Sequence, residues 1–172
     1  MSNTRVSHPP QSQVDCDTNA PRLDLSFLEN TLGFPARMLQ LRLFRSFYAH
    51  FQDLGVHAGA YTTLLIIEAN PGVRLSNVAE ALMVQRPNMT RLINALVKDG
   101  QVRKRAAKDD KRALELFLTP KGKALVETLK TGVLALEAQT LSVLNKDETQ
   151  ELLRLIHKVS MHLQASEARE GE

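Results

Sequence analysis

The residues best suited to chemistry lie in one stretch, 84–112, and all point to anion recognition. Nine basic side chains sit there: Arg86, Arg91, Lys98, Arg103, Lys104, Arg105, Lys108, Lys111 and Arg112. Only Asp99, Asp109 and Asp110 oppose them, in a chain whose formal net charge is +3. A basic centre in a mildly acidic frame is a footprint for phosphate, although charge alone would also fit a solvated surface. Other chemistry is poorly served. The five histidines, among them the pairs His50/His57 and His157/His162, lack cysteine or carboxylate partners at metal-ligand spacing, so no metal site is expected. No nucleophile triad, phosphate loop or paired-carboxylate motif stands out, so no catalytic residue, enzymatic activity or cofactor is expected.

The elements that must carry these residues follow from periodicity. Leu75, Val78, Ala79 and Leu82 fall on one helical face. A break at residues 83–85 leads to a second helix over 86–99 with Met89, Leu92, Ile93 and Leu96 inward and Gly100 as its left-handed cap. Its outward residues are then Pro87, Asn88, Arg91, Asn94, Ala95 and Lys98, with Thr90 flanking and Arg86 opening the helix. A generic exposed helix of this size carries one or two glutamates; this one has no acid before Asp99. Small residues permit close approach to a groove, asparagine suits adenine edges and arginine suits guanine edges. Residues 101–106 and 113–119 can pair as two strands around a charged tip, 107–112. A basic ribbon of this kind reaches phosphates or enters a minor groove, where concentrated negative potential attracts arginine. Asp110, two residues before Arg112, is placed to hold that guanidinium.

Around this unit the chain reads as mainly α. Residues 1–22 carry Pro9, Pro10 and Pro21 among small polar residues and bury too little to offset ordering entropy, so a mobile tail is expected. A long helix is expected over 26–53, with Pro35 kinking it or delaying its start and Gly55 ending it. A further helix spans 58–69, stopped by Asn70-Pro71-Gly72. After the strands, Thr119-Pro120 opens a helix towards Leu144, and Asn145 with Glu148 forms a capping box for the last one. That helix is striped by Leu152, Ile156, Val159 and Leu163, and a second tail is expected over 166–172. The fold class is mainly α with a small two-stranded β wing: a winged helix-turn-helix over about 58–119, with N- and C-terminal dimerisation helices over 26–53 and 120–165. The terminal stripes are too extensive for one winged domain to cover, so a second copy is expected. Two copies would want a pseudo-palindromic duplex with half-sites about 34–36 Å apart. No run reaches transmembrane length, no secretion signal is legible, and a lone Cys16 cannot form an internal disulfide; the expected setting is the cytoplasm.

The run Asp110-Lys111-Arg112-Ala113-Leu114-Glu115-Leu116-Phe117-Leu118-Thr119, then Pro120-Lys121-Gly122, resembles the signature D-x-R-x-x-x-L-x-L-T-x-x-G of the MarR family. The stretch from Asn88 to Leu96 and Gly100, at matching spacing, resembles that family's recognition helix. The likeness spans about residues 26–165. It implies a dimeric transcriptional regulator, most often a repressor released by a small, commonly aromatic or phenolic, ligand. Its first and last helices would form the dimer interface. It implies that residues around 86–94 read the major groove, that Arg112 is the minor-groove arginine and that Asp110 positions it. Gly33 stands where the hydroperoxide-sensing branch carries cysteine, so no peroxide sensor of that type is expected. A ligand slot between dimer base and reading unit could use Arg37, Arg45, Tyr48, His57 and Tyr61. The alternative is a winged-helix adaptor for another protein; the basic hairpin and acid-free helix face argue against it.

Overall fold

A computed structural model describes residues 23–107 and 113–170. The expectations placed on residues 1–22, including Cys16, and on Lys108, Asp110, Lys111 and Arg112 at the hairpin tip lie outside the described residues. The described residues form two compact units that divide between Leu39 and Gln40.

The first unit holds α1 (Ser26–Glu29) and the start of α2 (Gly33–His50). The expected long helix therefore begins late. Pro35 falls in the first turn of α2, where a missing N–H removes no helical hydrogen bond, so the ring is tolerated there and no kink is needed.

The rest of α2 opens the second unit. The long helix ends at His50, earlier than the expected 53, and Gly55, at φ +59°, instead closes a separate 3₁₀ turn (Gln52–Leu54). Next come α3 (Ala58–Ala69), β1 (Val73–Arg74), α4 (Leu75–Ala81) and α5 (Arg86–Lys98). After them come β2 (Val102–Ala106), β3 (Leu114–Leu118), α6 (Pro120–Thr140) and α7 (Lys146–Glu170). The sheet has three antiparallel strands in the order β1-β3-β2, where two were expected. The additional strand is two residues long, too short to show a period. It is set by Gly72, at φ +88°, whose N–H donates to the Leu116 carbonyl at 2.8 Å. Val73 then lies opposite Leu116 and Arg74 opposite Glu115.

Leu64 and Ile67 of α3, Val78 of α4, Met89 and Ile93 of α5, Leu116 of β3 and Val126 and Leu129 of α6 make the core and are essentially sealed from solvent. Burying each such side chain is worth about 1.5–3 kcal/mol, so this cluster dominates the stability of the reading unit. The turn between α4 and α5 bends through Met83, a non-glycine residue at φ 52°.

Helix ends follow the expected chemistry. The Thr119 hydroxyl accepts the Gly122 N–H at 3.1 Å with Pro120 in the first turn. The Asn145 side chain accepts from the Glu148 N–H at 3.0 Å, and Glu148 returns the bond to the Asn145 N–H at 2.8 Å. Two boundaries differ. Helix α6 ends at Thr140, not near Leu144, because residues 141–144 form turns before the new cap. Helix α7 continues to Glu170, past the tail expected from Ser166: residues 166–170 lack an apolar stripe but contain no glycine or proline to stop a helix already propagating.

Candidate nucleic-acid interface

Helix α5 is fixed by its inner face. Met89, Ile93 and Leu96 are buried, and this one-sided anchoring leaves Arg86, Pro87, Asn88, Thr90, Arg91, Asn94 and Lys98 exposed, as the periodicity predicts. They sort into two rows. Arg86, Thr90 and Asn94, at i, i+4 and i+8, line a cleft of about 440 Å³ together with Lys104 of β2 and with Arg74 and Ser76. Asn88, Arg91 and Lys98 lie along the neighbouring row. Among the described residues no carboxylate lines the cleft, and three of the side chains there are cationic. A concave surface of this charge suits a phosphate-bearing ligand.

Two hydrogen bonds organise the outer face of α5. Lys104 Nζ donates to Asn94 Oδ1 at 2.7 Å, tying the first wing strand to the helix. One turn back, Arg91 Nη2 donates to Asn88 Oδ1. Lys104 thus belongs to the helix side of the hairpin.

Arg103 and Arg105 belong to the other side. Strand alternation puts them opposite Lys104. Their guanidinium carbons lie 4.5 and 4.8 Å from the centre of the Phe117 ring. Arg105 also donates through Nε and Nη2 to Glu115 Oε2, at 3.1 and 2.7 Å. These arginines therefore brace the hairpin through cation–π contact and an ion pair across the β2–β3 register, while remaining exposed. Arg74 was not foreseen because it belongs to the unexpected strand β1, whereas Ser76 sits in the first turn of the expected α4, where the apolar period says nothing of its role. The separate placement of Lys104 was legible only as strand alternation.

The candidate ligand residues scatter. In the second unit, Tyr48 stands edge-on to His57 at 6.0 Å and to Phe47 at 6.1 Å. Phe47 stacks at a tilt on Tyr61, 5.7 Å away. Tyr48, His57 and Tyr61 thus share one aromatic cluster joining α2 to α3. Burial, with Glu137 nearby, pushes the Tyr61 phenol above its ordinary pKa, so it remains a hydrogen-bond donor at neutral pH. Arg45 is exposed on α2, and Arg37, in the first unit, is exposed as well. A different cleft, about 550 Å³, opens between α2 and α6 and is lined by Ser46, Ala49, His50, Leu136, Gln139 and Thr140, none of the five predicted residues. Among the described residues no cluster of three or more histidine, cysteine, aspartate or glutamate side chains could hold a metal.

The family model described as MarR family matches residues 57–114, from the start of α3 to the first residue of β3. A solved structure of the transcriptional repressor CouR bound to a 23-mer DNA duplex superposes with a TM-score of 0.76 at 27% identity, covering 81% of this chain and 99% of that one. Residues 57–114 therefore form a MarR-type domain. The same repressor bound to p-coumaroyl-CoA matches with a TM-score of 0.73 at 26% identity, over 81% of this chain and 98% of that one. By sequence, the chain is 29% identical over 114 residues to YybA of Bacillus subtilis, a helix-turn-helix type transcriptional regulator, spanning 66% of this chain and 76% of the relative. A MarR-type winged helix thus accounts for the order α3-α4-α5-β2-β3, with β1 completing the sheet, and no described helix is long and apolar enough to cross a membrane.

Proposed function

We propose that this chain is a sequence-specific, double-stranded DNA-binding repressor of the MarR family that works as a homodimer and is released by a small aromatic or phenolic ligand. The observation that carries the reading is the outer face of α5: cationic, free of carboxylates, and flanked by a cleft into which Arg86 and Lys104 converge. Residues of that face would enter the major groove, and the hairpin would lie against the adjacent minor groove. The DNA duplex held by the CouR neighbour supports this use of the surface.

Dimerisation is supported by apolar side chains left uncovered on α7. Leu153, Leu155, Ile156, Val159, Met161 and Leu163 are each at least 40% exposed, on a helix with no buried side chain among the described residues. An amphipathic helix of 25 residues with an open apolar stripe is costly in water and is relieved by a second copy. The p-coumaroyl-CoA bound by the CouR neighbour supports an aromatic thioester or acid as the releasing ligand. The aromatic cluster of Tyr48, His57 and Tyr61, with the Tyr61 phenol as donor, is suited to such a ring. Release requires that the ligand bind better to an arrangement whose two recognition helices no longer match groove spacing. In this reading the chain has no catalytic role and acts in the cytoplasm.

The test is a gel-shift titration against genomic fragments at several salt concentrations, followed by footprinting. A regulator gives retardation that weakens steeply with salt, and a footprint of two half-sites about one helical turn apart. Addition of a hydroxycinnamoyl thioester should lower that retardation. An adaptor for another protein would retard no duplex even in dilute buffer.

A further inference from the structure

Asparagine reads adenine with both ends of its amide: the nitrogen donates to N7 while the oxygen accepts from the N6 amino group. The two asparagines on the outer face of α5 do not present both ends. Asn94 Oδ1 accepts from Lys104 Nζ at 2.7 Å, and Asn88 Oδ1 accepts from the Arg91 guanidinium. Neither an ammonium nor a guanidinium has a lone pair to offer, so the amide atom facing each cation must be the oxygen. The orientation of both amides is thereby fixed by chemistry, and the ends left for a base are the NH₂ groups.

We propose that Lys104 and Arg91 set the base preference of the recognition helix by occupying the amide oxygens of Asn94 and Asn88. The inference rests on the DNA-binding reading above. Apart from the Thr90 hydroxyl, which can donate or accept, the polar face of α5 then offers only donors: Arg86, Arg91, Lys98 and two amide NH₂ groups. Such a face selects base edges rich in acceptors, namely guanine O6 and N7 and thymine O4. It disfavours cytosine, because α5 itself carries no carboxylate to accept from the N4 amino group. It also disfavours bidentate adenine. Each amide oxygen keeps a second lone pair, but a full positive charge already held there opposes the approach of an amino hydrogen. Lys104 touches the helix from another strand, so the wing tunes what the helix reads. It acts on the base through Asn94 and is a positioning residue.

The experiment is selection from randomised duplexes with the full chain in four forms: unaltered, Asn94→Ala, Lys104→Met and Arg91→Met. The position faced by Asn94 is identified as the one whose preference Asn94→Ala erases. There the unaltered protein should take guanine or thymine over adenine by about tenfold. Lys104→Met frees the amide oxygen and should admit adenine at that position, cutting the discrimination to about twofold or less, while preferences elsewhere hold. Arg91→Met should do the same at the position faced by Asn88. Replacing the selected guanine by 7-deazaguanine, which lacks N7, should weaken binding. Selection of adenine by the unaltered protein, with affinity lost when purine replaces it, would overturn the proposal alone; so would a Lys104→Met preference indistinguishable from the original. Failure to retain any duplex would overturn the DNA-binding reading together with it.

Discussion

Gly122, in the first turn of α6, lies against the backbone carbonyl of Gln101: a Cβ there would stand 3.0 Å from the carbonyl carbon and overlap its oxygen. The neighbour is backbone and cannot swing aside. This contact joins the end of the reading unit to the long helix that leaves it, and Thr119 strengthens the joint by donating to the Gly100 carbonyl at 2.6 Å. In an open helix position, Gly→Ala stabilises by up to about 1 kcal/mol. Here the sign reverses, and Gly122→Ala should destabilise by about 1–3 kcal/mol through overpacking. Urea unfolding checks it: a midpoint at or above that of the parent would show that the two segments can part freely.

A second joint holds α3 to α6. Lys130 Nζ pairs with Glu68 Oε2 at 2.7 Å and with Glu127 Oε1 at 3.1 Å. The hydrogen bond to Glu68, then that to Glu127, raises the Lys130 pKa above its ordinary 10.5. A cation whose pKa is higher folded than unfolded contributes stability below the unfolded value and loses it as pH rises through the folded one. Lys130→Met should therefore be less stable than the parent at neutral pH, by a margin that shrinks with added salt and is lost as pH rises through the raised folded pKa of the lysine. Thermal melts across that range test it. A gap that persists at the alkaline end would assign the loss to packing of the lysine stem instead.

Most of this architecture was legible because its signals are local. Helix α3 lies between a turn and Asn70-Pro71-Gly72, and α5 carries four apolar residues at helical spacing and a glycine at its end; both emerge from period and punctuation alone. The caps at Thr119 and Asn145 are side-chain chemistry readable from one residue and its third neighbour. What stayed hidden depends on distant partners. Strand β1 exists because Leu116, more than 40 residues away, accepts a bond from Gly72. Arg74 enters the candidate interface only with that strand. The division of the basic hairpin into a helix-facing Lys104 and a Phe117-facing pair, Arg103 and Arg105, needed the strand register, which the two-strand reading did not fix. The run past Ser166 reflects helix propagation without an apolar stripe, which periodicity cannot detect.

The open stripe of α7 makes a direct claim about assembly. Ile156 is 52% exposed near the middle of that helix, with Val159 and Leu163 one and two turns on. Ile156→Lys would place a charge in the face proposed to meet a second copy, where it would be desolvated without a partner. The dimer should weaken at least about tenfold, the equivalent of roughly 1.4 kcal/mol. Sedimentation at micromolar concentration reads this, and operator affinity should fall with it because one protomer grips a single half-site. A parent protein that sediments as a monomer would remove α7 from the interface.

On the wing, the two kinds of arginine should part company. Arg103 rests on Phe117, on the strand face opposite Lys104, and its role in the geometry is to brace the hairpin. The Asp110-Lys111-Arg112 run, by contrast, carries the family signature and with it the expectation of a minor-groove contact. Arg112→Ala should weaken operator binding by about 1–3 kcal/mol. Arg103→Ala should cost less in affinity while lowering thermal stability, since a cation–π contact at an exposed site is worth about 0.5–1 kcal/mol. Arg86→Ala, in the cleft, should weaken specific and random duplexes alike and lower the salt slope by about one if it meets a phosphate. Fluorescence anisotropy against one operator and one random duplex, each at three salt concentrations, separates the three cases. Equal losses for Arg103→Ala and Arg112→Ala would mean that the whole hairpin, rather than its tip, contacts the duplex. The distinction between bracing and reading arginines would then be abandoned.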